Sequence, residues 1–94
     1  MNGVGAKFQL GQLLITPGAM EALKLNGASP AEFIKRHASG DWGELDAEDA
    51  RENEFSLEHG LRLLSSYRLP DGQKLWIITE ADRSCTTLLL PEEY

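Results

Sequence analysis

Residues 61–91, LRLLSSYRLPDGQKLWIITEADRSCTTLLLP, alternate apolar and polar positions between turn signals. From Leu61 the pattern has a period of two. Leu61, Leu63, Ser65, Tyr67 and Leu69 fall on one face and Arg62, Leu64, Ser66 and Arg68 on the other, as in a half-buried strand. Pro70 presets the first dihedral of a turn and Gly72 accepts a left-handed one, so LPDGQ reads as a hairpin. KLWIITEA (74–81) returns as a strand rich in β-branched and aromatic residues, and after Asp82, Arg83 and Ser84 the run CTTLLLP (85–91) makes a third. The C-terminal third is an antiparallel meander. Residues 7–15, KFQLGQLLI, can complete it as a fourth strand, with a phase slip at Gly11 that predicts a bulge or a bent strand.

Upstream of this stretch, three segments carry helix punctuation. Thr16 can cap a helix that has Pro17 in its first position and Gly27 at its end. Ser29 and Glu32 form an S-x-x-E box around Pro30, with Gly40 as the stop. Asp46 opens a third helix closed by Gly60, whose apolar stripe of Ala47, Ala50 and Leu57 is narrow and leaves Phe55 pointing well away from it. The expected class is α+β: an N-terminal strand and about three short helices packed on one face of a three- to four-stranded antiparallel sheet. At 94 residues, one domain spanning 1–94 is expected.

Composition narrows the function. A hydrophobic fraction of 41% and a charged fraction of 26% are ordinary for a folded soluble protein. No apolar run is long enough to span a bilayer, and MNGVGAKFQLGQ has no long apolar stretch behind a basic cap, so a cytoplasmic location without membrane contact is expected. The lone Cys85 excludes an intramolecular disulfide and a cysteine zinc cluster, and reads as a small buried hydrophobe. Fifteen acids against nine bases give a net charge of -6. The acidity is local: Asp41, Glu44, Asp46, Glu48, Asp49, Glu52, Glu54 and Glu58 face Arg51 alone between residues 41 and 58. Such a field repels phosphates and attracts basic surfaces, which points to a basic protein partner and away from direct nucleic-acid binding.

The stretch HASGDWGEL (37–45) is the first place to seek chemistry. His37 as general base oriented by Asp41 is one reading; His37 closing an amphipathic helix as a cation on its dipole, with Gly40 and Asp41 making the turn, is the other. Trp42, framed by glycines, either folds back over the core or anchors a partner. With Trp42 as anchor, Asp41, Glu44, Glu48, Glu52 and Glu54 form an electrostatic rim. An alternative reading is a small metal-dependent nuclease or hydrolase using His37, Glu80, Asp82 and Arg83, although TEADRS matches no nuclease spacing and reads equally as a turn with an Asp cap. A third is a structural homodimer pairing through an edge strand or through the sheet face that carries Trp76 and Ile78. No phosphate loop, zinc spacing or RNA-binding aromatic motif is present, so no cofactor and no resident metal are expected.

RHASGDWGELDAED (36–49), LLSSYRLPDGQKLWIITEADRS (63–84) and TTLLLPEEY (86–94) together resemble a group of short proteins encoded on bacterial plasmids and integrative elements, labelled plasmid-related protein or restriction-methylase subunit. The resemblance runs from LGQLLITPGAMEAL (10–23) to Tyr94. It implies a mobile-element setting and no mechanism, since no methyltransferase domain fits this length. Small acidic proteins of that setting resemble inhibitors of restriction or CRISPR effectors, which present carboxylates where phosphates lie. The expectation is a non-enzymatic accessory protein that binds a partner through residues 41–58.

Overall fold

A computed structural model describes residues 6–94; part of the leader reading, residues 1–5, lies outside them. Four strands, β1 (Gln12–Ile15), β2 (Leu63–Arg68), β3 (Lys74–Thr79) and β4 (Cys85–Leu89), form one sheet in the order β1-β4-β3-β2. Three helices, α1 (Pro17–Leu25), α2 (Pro30–Ala38) and α3 (Ala47–His59), intervene between β1 and β2, and a short 3-10 turn, Pro91–Glu93, follows β4. The class is α+β. No helix among the described residues is long and apolar enough to cross a membrane.

The meander pairs as the period-two pattern requires, with Tyr67 opposite Leu75 and Ile77 opposite Leu88. The sheet as a whole is mixed, because β1 lies parallel to β4, Leu13 beside Thr86 and Ile15 beside Leu88. That corrects the all-antiparallel expectation. Gly11 takes a left-handed φ of +67°, and a Cβ there would collide with the Ser84 carbonyl, so the chain turns in tight against the β3–β4 turn and starts β1 level with β4. Gln12 N then donates to Ser84 O at 3.0 Å. The slip at Gly11 is therefore a turn before the strand and not a bulge within it.

Side-chain caps start all three helices. Thr16 accepts from Ala19 N, and Asp46 from Asp49 N at 2.8 Å. Ser29 accepts from Ala31 N, one residue short of the expected box with Glu32. Ala19, Ala22 and Leu23 of α1 and Phe33 of α2 pack with Tyr67, Leu69, Leu75, Ile77, Leu88 and Leu90 into the core, all from one side of the sheet. Each such buried aliphatic or aromatic side chain contributes about 1.5–3 kcal/mol. On the opposite face Arg62, Leu64, Trp76, Ile78 and Tyr94 line a groove of about 290 Å³ to which no helix contributes a wall. Cys85 is half-buried, more open than its sequence context predicts.

Candidate functional site

His37 lies in the last turn of α2 and is fully buried, which overturns its reading as a cation on the helix dipole. Its surroundings explain why it tolerates the position. Ser65, Thr79 and Thr86, each 0% exposed, occupy the inward phase of three neighbouring strands and reach the ring in series. Nδ1 meets Ser65 Oγ, Nε2 lies 2.8 Å from Thr79 Oγ1, Thr79 Oγ1 lies 2.8 Å from Thr86 Oγ1, and Thr86 Oγ1 donates to the Leu10 carbonyl at 2.7 Å. The carbonyl end orients the chain as far as the ring. Thr86 spends its hydrogen on Leu10, so Thr79 donates to Thr86 and His37 Nε2–H donates to Thr79. Burial, reinforced by the Arg83 charge, pushes the His37 pKa down to about 4 and so keeps the ring neutral near pH 7. The neutral ring carries its proton on Nε2, and Ser65 donates to Nδ1.

A serine hydroxyl bonded to an imidazole suggests a nucleophile and its base. Here neither reaches solvent. The lid is aromatic. Phe8 stands edge-on to His37 with ring centroids 5.2 Å apart, Trp42 meets the same ring at 5.8 Å, and Phe8 and Trp42 stack at 6.3 Å.

This is what the GDWG loop does. Trp42 is 6% exposed, so the expected exposed anchor is instead a cover over His37, and its Nε1–H donates to Glu54 Oε2 at 2.8 Å. Two residues assigned to one binding surface are consumed by each other. Asp41 accepts from Arg36 Nε at 2.7 Å and from Gly43 N at 3.1 Å; the Arg36 guanidinium holds its carboxyl below the usual carboxylate range. The Asp41 carbonyl accepts from the buried Tyr67 hydroxyl at 2.7 Å, and burial raises that phenol to about 12. Gly43, at φ +76°, lies against the Ser66 carbonyl, where a Cβ would collide. That close approach lets Trp42 O accept from Ser66 N and Glu44 N donate to Ser66 O, so the loop adds a short parallel bridge to the outer edge of β2. Glu44 also pairs with Arg68 at 3.1 Å.

Of the six residues expected to bind a partner, Asp41, Trp42, Glu44 and Glu54 are engaged within the fold, whereas Glu48 and Glu52 carry no ion pair or side-chain hydrogen bond among the described residues. Both stand on α3, a helix of thirteen residues that buries one side chain, Asn53. Asn53 Nδ2–H donates to the Leu64 carbonyl and Leu64 N donates to Asn53 Oδ1, so the helix is pinned to the β2 edge by a side-chain amide. Outward, at helical spacing, Glu48, Glu52, Phe55 and Glu58 share a face with Arg51 and His59. Phe55 is 57% exposed, its ring against His59 at 4.1 Å.

The hydrolase set does not assemble. His37 is sealed, whereas Asp82 is exposed in the turn after β3, where its Oδ1 accepts from Ser84 N at 2.9 Å. Glu80 pairs with Arg62 at 3.7 Å. Arg83 holds φ +60° while its guanidinium donates to the carbonyls of Leu61 at 2.7 Å, Glu80 at 3.1 Å and Ser56 at 3.5 Å, tying the turn to the C-terminal end of α3. No group of three His, Cys, Asp or Glu side chains among the described residues converges to hold a metal ion.

Sequence reasoning missed Ser65, Thr79, Thr86, Phe8 and Asn53. The first three did leave a signal: hydroxyls at inward strand positions imply a buried polar partner, and His37 borders the apolar face of α2. Compared with protein-family models, curated proteins and solved structures, the chain matches none of them.

Proposed function

We propose that the chain is a non-catalytic binding module whose α3 docks a basic protein surface. In the mobile-element setting that its sequence resemblance implies, the partner is a nucleic-acid-binding effector of restriction or CRISPR type, and the module inhibits it. One observation carries the reading: α3 adds a single buried side chain to the fold, yet it presents an exposed Phe55 among Glu48, Glu52 and Glu58. An aromatic side chain inside a charged rim is the anatomy of an interface hot spot, and carboxylates spaced along a helix repel phosphate while attracting the arginines and lysines that bind it. The anchor in this arrangement is Phe55, in the place the sequence assigned to Trp42.

The test is affinity capture from cells carrying the mobile element, wild type against Glu48→Lys, Glu52→Lys and Phe55→Ala combined. A single partner retained by the wild type, lost by the variant and released by added duplex DNA is the expected result. Equal capture by both proteins, or release insensitive to DNA, would remove α3 from recognition.

A further inference from the structure

The sheet has two edges, and they are treated differently. At the β2 edge the backbone of Leu64 is occupied in both directions by Asn53, and that of Ser66 by Trp42 and Glu44. At the β1 edge no described residue plays such a part. Gln12 N and Thr16 N donate to Ser84 and Leu88 of β4, so by strand alternation the N–H and C=O groups of Leu13 and Ile15 point away from the sheet. An extended edge without proline, charge or a covering side chain is a template for another strand.

We propose that the strand it takes is β1 of a second copy, paired antiparallel about a twofold axis at Leu14. The outward groups are self-complementary in that register. Leu13 of each copy exchanges two hydrogen bonds with Ile15 of the other, which satisfies all four outward groups on each chain, and the two Leu14 side chains face each other at the axis. Leu13 and Leu14 are 50% and 41% exposed, so both gain cover on pairing. Charge selects the same edge. Residues 12–25 hold one acid, Glu21, and one base, Lys24, and the one further carboxylate bonded to them among the described residues, Glu93, is held by Thr16 and Gly18 just past β1, whereas the acidic α3 lies at the opposite edge, three strands away. Two chains of net charge -6 therefore approach with least repulsion at β1. The product is a continuous eight-stranded sheet with both α3 helices at its outer ends, which leaves the proposed recognition faces free and makes the module bivalent. An interface this short sits at the small end of specific contacts, so dissociation in the micromolar range follows.

Sedimentation equilibrium from about 1 to about 300 μM tests it, because a micromolar dimer must change mass across that range. The wild type is expected to rise from the 10.4 kDa chain mass to twice that value. Leu13→Pro removes only an outward-facing N–H, so it should keep the wild-type circular dichroism and thermal midpoint while remaining a monomer throughout. Leu14→Lys, which sets two ammonium groups face to face at the axis, should weaken association at least tenfold at low salt and recover part of the loss at high salt. A wild type that stays monomeric at the highest concentration overturns the proposal. So does a dimer that survives Leu13→Pro, and its loss on Trp76→Asp would relocate the interface to the open sheet face.

Discussion

Helices α2 and α3 are neighbours in sequence and opposites in what holds them. The nine residues of α2 bury Phe33, His37 and Ala38, whereas the thirteen of α3 bury only Asn53. The longer helix contributes less to the core. Its stability comes from its ends and from one amide: Asp46 caps the first turn, Gly60 closes the last with a left-handed φ of +69°, Arg83 takes the Ser56 carbonyl, and Asn53 grips the β2 edge. A helix fixed in this way can change its whole outer face without disturbing the fold, which is the property a recognition element needs. α2 has no such freedom, since its last turn holds the imidazole on which Ser65 and Thr79 depend.

The difference breaks first at His37. His37→Ala opens a cavity at the centre of the polar chain and leaves the Ser65 hydroxyl without its acceptor. The expected loss is about 4 kcal/mol, a large share of the roughly 5–15 kcal/mol of an ordinary domain, read as a lower urea midpoint at unchanged slope. Acid does the same by degrees. Because the His37 pKa falls from 6.5 to about 4 on folding, the unfolded chain binds a proton below pH 6.5 that the native state does not. Stability is therefore full above pH 6.5 and declines as pH falls toward 4, by about 1.5 kcal/mol between pH 6.5 and 5 and roughly 3 kcal/mol over the whole window. The carboxyls of Asp41 and Glu93, held low by Arg36 and by Thr16 respectively, lose their contributions in the same direction but only as pH falls below the usual carboxylate range. Urea titrations at pH 6.5 and 5 isolate the histidine, and a midpoint unchanged between them would show that the ring is charged or solvated in the native state.

The meander and the capped helices were legible because they rest on local rules. Alternation at Leu63, Ser65 and Tyr67, the Pro70-Asp71-Gly72 turn and the caps at Thr16 and Asp46 each act within a few residues. What escaped depends on distance along the chain. The parallel seat of β1 is set by the approach of Gly11 to Ser84, more than seventy positions away, and the role of Trp42 depends on Phe8 and Glu54 arriving on either side of it. For the same reason the acidic run did not separate its own members. Composition marks residues 41–58, but only the fold separates Asp41, Glu44 and Glu54, which are tied to Arg36, Arg68 and Trp42, from Glu48 and Glu52, which are not.

Asn53 measures how much the clamp contributes. Asn53→Ala removes both bonds to Leu64, whose N–H and C=O sit on an edge that water can reach in part, so the expected cost is about 2 kcal/mol, below that of His37→Ala. Amide exchange shows where the loss falls. α3 should exchange faster than in the wild type while Ile77 and Leu88 in the sheet centre keep the protection set by global unfolding. Uniform acceleration across both would mean that α3 and the core open together, and the contrast between the helices would then lie in burial alone.

The smallest effect is expected on the face that carries the proposed function. Glu48→Lys with Glu52→Lys reverses two exposed charges that hold no partner among the described residues. Glu48 lies in the first turn, where a cation opposes the helix dipole and costs a few tenths of a kcal/mol. Against this, the double substitution thins the excess of negative charge along α3 and sets the new ammonium at position 52 three residues from Asp49, an attractive spacing on a helix. The two effects nearly cancel, and the net shift stays within about 0.5 kcal/mol. Thermal melts of the double variant at low and at physiological salt read it directly. A stable variant means that the acids are not maintained by folding, so that any loss of partner capture reports recognition; a loss above about 1 kcal/mol would make the outer face part of the scaffold, and α3 would then resemble α2 after all.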